Sequence, residues 1–191
     1  MKPRVGISRC LLGDDVRYDA TNRRSPAVAL LSADVEWVPV CPELEVGMGV
    51  PREPIQLVAH PAGVASAGER VLLLGVESRA DWTARMDAWT GTRCAALAAE
   101  RLSGFVLKAR SPSCGPAGVL VHHAARDATA TGRGLFAEAL ARAMPGLPTI
   151  DEDALEDSAE RYRFMREVLA FAEREGPRRP LAPLRRSGEP G

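Results

Sequence analysis

The chain has 191 residues, 46% of them hydrophobic, enough apolar side chain for one buried core with a small appendage. Its 25 basic and 25 acidic residues cancel, so nothing pulls the whole surface toward nucleic acid or an anionic membrane. No apolar run is long enough to cross a bilayer, Met1-Lys2-Pro3-Arg4 does not open a secretory signal, and four cysteines are too sparse for a disulfide scaffold, so reduced thiols and a cytoplasmic location are expected.

Short apolar runs alternate with longer helix-like stretches, the pattern of an α/β domain. In chain order, strands are predicted at Val5 to Ser8, Val35 to Val40, Val71 to Val76 and Phe105 to Ala109, with a fifth around Gly118 to His122. Helices are predicted at Pro26 to Ser32, Ala80 to Leu102, Gly134 to Ala143 and Glu152 to Glu173. The expected fold is a single Rossmann-like domain with a mainly parallel sheet and a C-terminal helix. Pro145-Gly146-Leu147-Pro148 marks its end, giving a first unit at 1–147 and a helical extension at 148–175. That last helix is amphipathic, with Tyr162, Phe164, Met165, Val168 and Phe171 among many charges, and is expected to pack on the core or on a second subunit in a homodimer. From Gly176 to Gly191, Pro and Arg dominate without apolar periodicity, and a disordered tail is expected.

Three of the four cysteines come just after strand-like runs, within a few residues: Cys10 after Val5 to Ser8, Cys41 after Val35 to Val40, and Cys114 after Phe105 to Ala109. In an open parallel sheet, loops leaving the carboxyl ends of neighbouring strands converge on one crevice, so the three sulfurs are expected to meet there. Three thiolates around a point suggest a metal or cluster site with one coordination position free. Cys94 falls inside the predicted long helix on the face of Ala98 and Leu102, and reads as a small buried hydrophobe. His60, His122 and His123 show no regular metal-binding pattern with the cysteines, so a Cys/His zinc site is the second choice.

Each cysteine lies beside polar residues suited to chemistry. After Cys10, the turn ends in Arg17, Tyr18 and Asp19, a group that can bind a polar ligand or simply brace the loop. After Cys41, prolines and glycines shape the loop, and Glu43 is close enough to a bound metal to shuttle a proton, with Glu45 in reserve. Around Cys114, Ser111 and Ser113 supply hydroxyls. Only Lys2 and Lys108 among the basic residues are lysine, and Lys108 ends a strand leading to this loop, where a compact ammonium does what a guanidinium cannot.

At Cys10-Leu11-Leu12-Gly13, Val16-Arg17-Tyr18-Asp19, Cys41-Pro42-Glu43 and Lys108 through Ser111-Pro112-Ser113-Cys114-Gly115, the chain resembles the TudS-type thiouracil desulfidases over about residues 2 to 147. The resemblance implies a 4Fe-4S cluster with Cys10, Cys41 and Cys114 as its ligands and one open iron, which takes the thiocarbonyl sulfur without redox cycling. It further implies an acid/base role for Glu43 and a substrate-positioning or proton-relay role for Ser111. From the residues themselves, Arg17, Tyr18, Asp19, Glu45, Lys108 and Ser113 are further candidates for substrate binding. The implied substrate is thiouracil or a related thiolated pyrimidine. From a different class, the competing expectation is a non-catalytic iron–sulfur or zinc-binding sulfur carrier or sensor, which would need neither Glu43 nor Ser111 nor an open cavity.

Overall fold

The structure is a computed structural model that describes residues 2–61, 69–123 and 126–175. Its frame is a four-stranded, all-parallel sheet of β1 (Arg4–Ser8), β2 (Glu36–Val40), β5 (Gly104–Leu107) and β8 (Thr149–Asp151), in the order β2-β1-β5-β8. Both faces of this sheet are covered. β5 is buried at every residue, as expected for an inner parallel strand. Successive side chains alternate between two cores. Phe105 and Leu107 join Val38, Val40, Leu97, Phe136 and Leu140 on one face, while Val5, Ile7 and Val106 join Val28, Leu31, Phe164 and Val168 on the other. At Gly6 the Phe105 ring occupies the space a side chain would need, since a Cβ there would lie 2.3 Å from Phe105 Cδ2.

The helices are α1 (Pro26–Leu31), α2 (Pro42–Glu45), α3 (Thr83–Ala99), α4 (Leu135–Ala143), α5 (Glu152–Leu155) and α6 (Ser158–Glu175). α1 begins where the sequence places a cap: Ser25 Oγ accepts the Val28 N–H at 3.3 Å and Pro26 takes the first helical position. The helix expected from Glu152 to Glu173 is broken in two. Asp157 causes the break by acting as a cap, its Oδ1 accepting the N–H groups of Ala159 at 2.7 Å and Glu160 at 3.3 Å. Cys94 lies buried on α3 in the core, as read from its spacing.

A second sheet accompanies the parallel one. Its order is β4-β3-β6-β7, with β3 (Ile55–Pro61), β4 (Glu69–Gly75), β6 (Val119–His123) and β7 (Arg126–Gly132). The runs at Val71 to Val76 and Gly118 to His122 belong here, in a mixed sheet with a core of Leu57, Leu73, Met86, Val119 and Val121. Packing is continuous across residue 147, where the sequence suggests the start of a helical extension. β8 pairs with β5 in register Phe105↔Thr149 to Leu107↔Asp151, and Phe164, Val168 and Phe171 of α6 are buried in the same cores as the strands before it. The expected disordered tail lies outside the described residues. Among the described residues no helix is long and apolar enough to cross a membrane.

Candidate active site

In the parallel sheet the order turns around at β1, with β2 on one side and β5 on the other, the arrangement that opens a crevice beyond the carboxyl ends of the strands. A pocket of about 620 Å³ lies there, and Cys10, Cys41 and Cys114 all line it. Each sulfur is carried by a turn with its own anchors. Cys10 stands in a 3-10 turn, Arg9–Leu12, pinned by the fully buried Leu11 and closed by Gly13 at φ 106°; the Cys10 carbonyl accepts the Arg23 N–H at 2.9 Å. Cys41 is the residue before α2, and the Glu45 carboxylate turns back to accept the Cys41 N–H at 3.0 Å. Cys114 closes a turn in which Ser111 Oγ accepts the N–H groups of Ser113 and Cys114, both at 3.2 Å. The carbonyls of that turn are held by the first residues of α4: Leu135 N–H donates to Pro112 O at 3.0 Å and Phe136 N–H to Ser113 O at 2.9 Å.

Burial sets the state of these thiols. It pushes Cys10 up to about 12, with the neighbouring Cys41 adding to the rise and Lys108 and Arg17 opposing it. Burial also raises Cys41, and raises Cys114 well above the usual thiol range, where a hydrogen bond from Ser8 acts in the other direction. Without a metal the site is therefore a set of neutral thiols, and any metal centre must displace their protons on binding. Among the described residues no three His, Cys, Asp or Glu side chains are grouped closely enough to hold a single metal ion.

Glu43, on α2, has both oxygens engaged. Arg52 donates to Oε2 from Nη2 at 2.6 Å and from Nε at 3.0 Å, while Ser113 Oγ donates to Oε1 at 2.6 Å. Arg52 is only 6% exposed in its side chain, and its other donors go to the carbonyls of Gly49 at 2.7 Å and Val16 at 3.0 Å. Lys108 Nζ pairs with Glu152 and donates to Ala109 O at 3.1 Å. The Lys108 N–H reaches the buried Ser8 Oγ at 2.9 Å.

Of the residues singled out from the sequence, Cys10, Cys41, Cys114, Glu43, Ser111, Arg17, Tyr18 and Lys108 line the pocket. Three others stand behind its wall. Asp19 is taken up by Thr21 Oγ1 at 2.6 Å and by Arg17 at 3.4 Å, the bracing alternative for that cluster. Glu45 is occupied by the Cys41 N–H and by Arg93 at 3.5 Å. Ser113 is fully buried, and its hydroxyl donates to Glu43, which lines the pocket. The histidines stand on β3 and β6 of the second sheet, outside the pocket wall. Sequence reasoning passed over Arg52, Ser8 and Glu152, all of which line the pocket. Glu152 follows a parallel strand just as Cys41 does, and only the three-residue length of β8 hid it.

The profile of a family described as 2-thiouracil desulfurase matches residues 5–152, which span all three pocket cysteines and end at Glu152. The chain belongs to this family. Its similarity extends to the uncharacterized protein YbbK of Bacillus subtilis (strain 168), 30% identical over an alignment of 161 positions that covers 79% of this chain and 97% of that protein. A solved structure, described as the 4Fe-4S-dependent thiouracil desulfidase TudS, shares the fold with a TM-score of 0.62 at 28% identity. That match covers 85% of this chain and 99% of the other. The α/β architecture with its parallel sheet and C-terminal helices is thus that of the 2-thiouracil desulfurases.

Proposed function

We propose that this chain removes sulfur from thiouracil or a related thiolated pyrimidine, giving the oxo base and sulfide, with Cys10, Cys41 and Cys114 holding a 4Fe-4S cluster that has one iron not bound by protein. The observation that carries the reading is the meeting of three thiols, from the ends of three neighbouring parallel strands, on one pocket wall in a member of this family. The donor set fits such a group. Thiolates suit iron–sulfur clusters, three of them line one pocket, and Cys94, the remaining thiol, is committed to the core. Arg17 and Lys108 near Cys10, and Arg52 near Cys41, bring positive charge that offsets an anionic centre. When bound, the cluster supplies a thiophilic Lewis acid for the thiocarbonyl sulfur.

The chain's own groups handle orientation and protons. Glu43 Oε2 already accepts two bonds from Arg52, whereas Oε1 accepts one from Ser113 and keeps an acceptor site, so a water held at Oε1 has a base for its proton as it adds to the ring carbon. The Ser111 hydroxyl oxygen is used by two backbone N–H groups, which leaves its hydrogen to donate to substrate. Lys108, Arg17 and Tyr18 supply donors along the wall for the polar edges of the pyrimidine.

The test is anaerobic purification with iron and acid-labile sulfide counted per chain, followed by incubation with 2-thiouracil and 4-thiouracil without external reductant. Uracil and sulfide in equal amounts support the reading. Zinc in place of iron, or a full cluster that releases sulfide from neither compound, overturns it in favour of a carrier or sensor.

A further inference from the structure

At the β8 edge of the pocket, two carboxylates of α5 reach across to the chain leaving β5. Glu152 is 12% exposed in its side chain; one oxygen pairs with Lys108 Nζ and the other accepts the Ala109 N–H at 2.6 Å. Next to it, Asp153 Oδ2 lies 2.6 Å from Arg110 Nη1. Arg110 has φ 58°, in the left-handed region that disfavours residues with a side chain. This residue turns the chain from β5 into the loop of Ser111 and Cys114. It is therefore gripped from both directions, through the backbone before it by Glu152 and through its own side chain by Asp153. The grip lies beyond the strand pairing of β5, whose ladder to β1 ends at Val106 and whose ladder to β8 ends at Leu107.

We propose that Glu152 and Asp153 are positioning residues. They lock the backbone at Ala109 and Arg110, and with it the conformation of the loop that presents Ser111 and Cys114, while Glu152 also holds the Lys108 ammonium at the pocket wall. The consequence for catalysis rests on the desulfidase reading above, but the lock itself is a property of the polypeptide and is measured without cofactor. In this arrangement each end of the sheet contributes one carboxylate–cation pair. Glu43 with Arg52 serves the β2 side, and Glu152 with Lys108 serves the β8 side.

The experiment compares wild type with Glu152→Gln, Glu152→Ala and Glu152→Ala/Asp153→Ala, using Glu160→Gln on the exposed start of α6 as control. In the cofactor-free protein, amide hydrogen exchange is read at Ala109, Ser113, Cys114 and Gly115 and at the strands β1 and β2. Loss of a charge-assisted hydrogen bond that closes a local opening raises exchange there by about ten- to a hundredfold. Glu152→Ala is expected to show that rise at the four loop amides and not in β1 or β2. Glu152→Gln, which retains an acceptor for the Ala109 N–H, is expected to fall between it and wild type. After anaerobic reconstitution, iron loss to a chelator should be faster by a similar factor in Glu152→Ala, with the control unchanged. Unchanged loop exchange in the double variant overturns the proposal, and so does a rise shared equally by β1 and β2. If the wild type binds no cluster, the desulfidase reading fails, and the exchange data still decide the lock.

Discussion

At the level of single residues, the pocket brings together cysteines that are far apart in sequence, and burial favours their neutral form. Replacing any one of Cys10, Cys41 or Cys114 by Ala is expected to reduce iron to background after reconstitution, whereas Cys94→Ala, in the core, should retain a full complement and lose only about 1 kcal/mol of stability. An iron-free Cys94→Ala that still folds would reassign the ligands. The raised thiols also predict how the cofactor-free protein responds to alkali. With Cys10 moved from 9.0 to about 12, the unfolded chain gives up this proton at lower pH than the folded one. Between those values the folded state binds more protons, so stability falls as pH rises, by at most about 1.4 kcal/mol per pH unit for this one thiol. The contribution is intact below pH 9 and gone above about 12. Denaturant unfolding under reducing conditions at pH 8, 9 and 10 should show a shallower decline for Cys10→Ala, and identical declines would mean that the sulfur is better solvated than its position implies.

At the level of elements, the turn bearing Cys114 owes its shape to α4. A Cβ at Gly134 would stand 2.4 Å from the Ser113 carbonyl oxygen, a backbone atom that cannot yield without moving the cysteine. Gly134→Ala is accordingly expected to cost about 1–3 kcal/mol and to weaken iron retention together with stability, measured by thermal unfolding of the apoprotein and chelator competition of the loaded one. Stability lost without any change in iron retention would separate α4 from the site. Elements of this kind also mark where the sequence could be read and where it could not. β1, β2 and β5 were legible because each is a continuous apolar run, and the rule that parallel strand ends converge then led to the cysteines. β7 reads Arg-Asp-Ala-Thr-Ala-Thr-Gly and, among the described residues, pairs with β6 alone at the edge of its sheet, so it has no apolar run to detect. β3 lies between prolines and resembles the shaped loop before it. Arg52 was visible as a residue but not as a partner, because its meeting with Glu43 depends on how the loop after α2 folds back, which no local pattern encodes.

For the whole molecule, the site spans the full width of the parallel sheet, from Glu43 beyond β2 to Glu152 beyond β8, so its geometry depends on everything that holds four strands in place. The family match ends at Glu152, yet the structure does not. α6 buries Phe164 and Val168 on the sheet and Phe171 in the core on its other side, and Val168 closes over Gly104 so tightly that a Cβ there would lie 2.6 Å from its Cγ2. At about 1.5–3 kcal/mol for each large apolar side chain, these three contribute about 5–9 kcal/mol, a large share of the 5–15 kcal/mol by which an ordinary domain is stable. A chain cut after Glu152 would keep every residue of the proposed cluster site and every strand, but would expose the faces of Val5, Val106 and Phe105 that α6 covers. We expect it to lack a cooperative unfolding transition and to bind no cluster, while Tyr162→Ala in the full chain, altering a side chain that is 69% exposed, stays within about 0.5 kcal/mol of wild type. Circular dichroism melting of the two proteins decides the matter. A cooperative transition in the shortened chain would show that the extension is dispensable and that the sheet supports its own site.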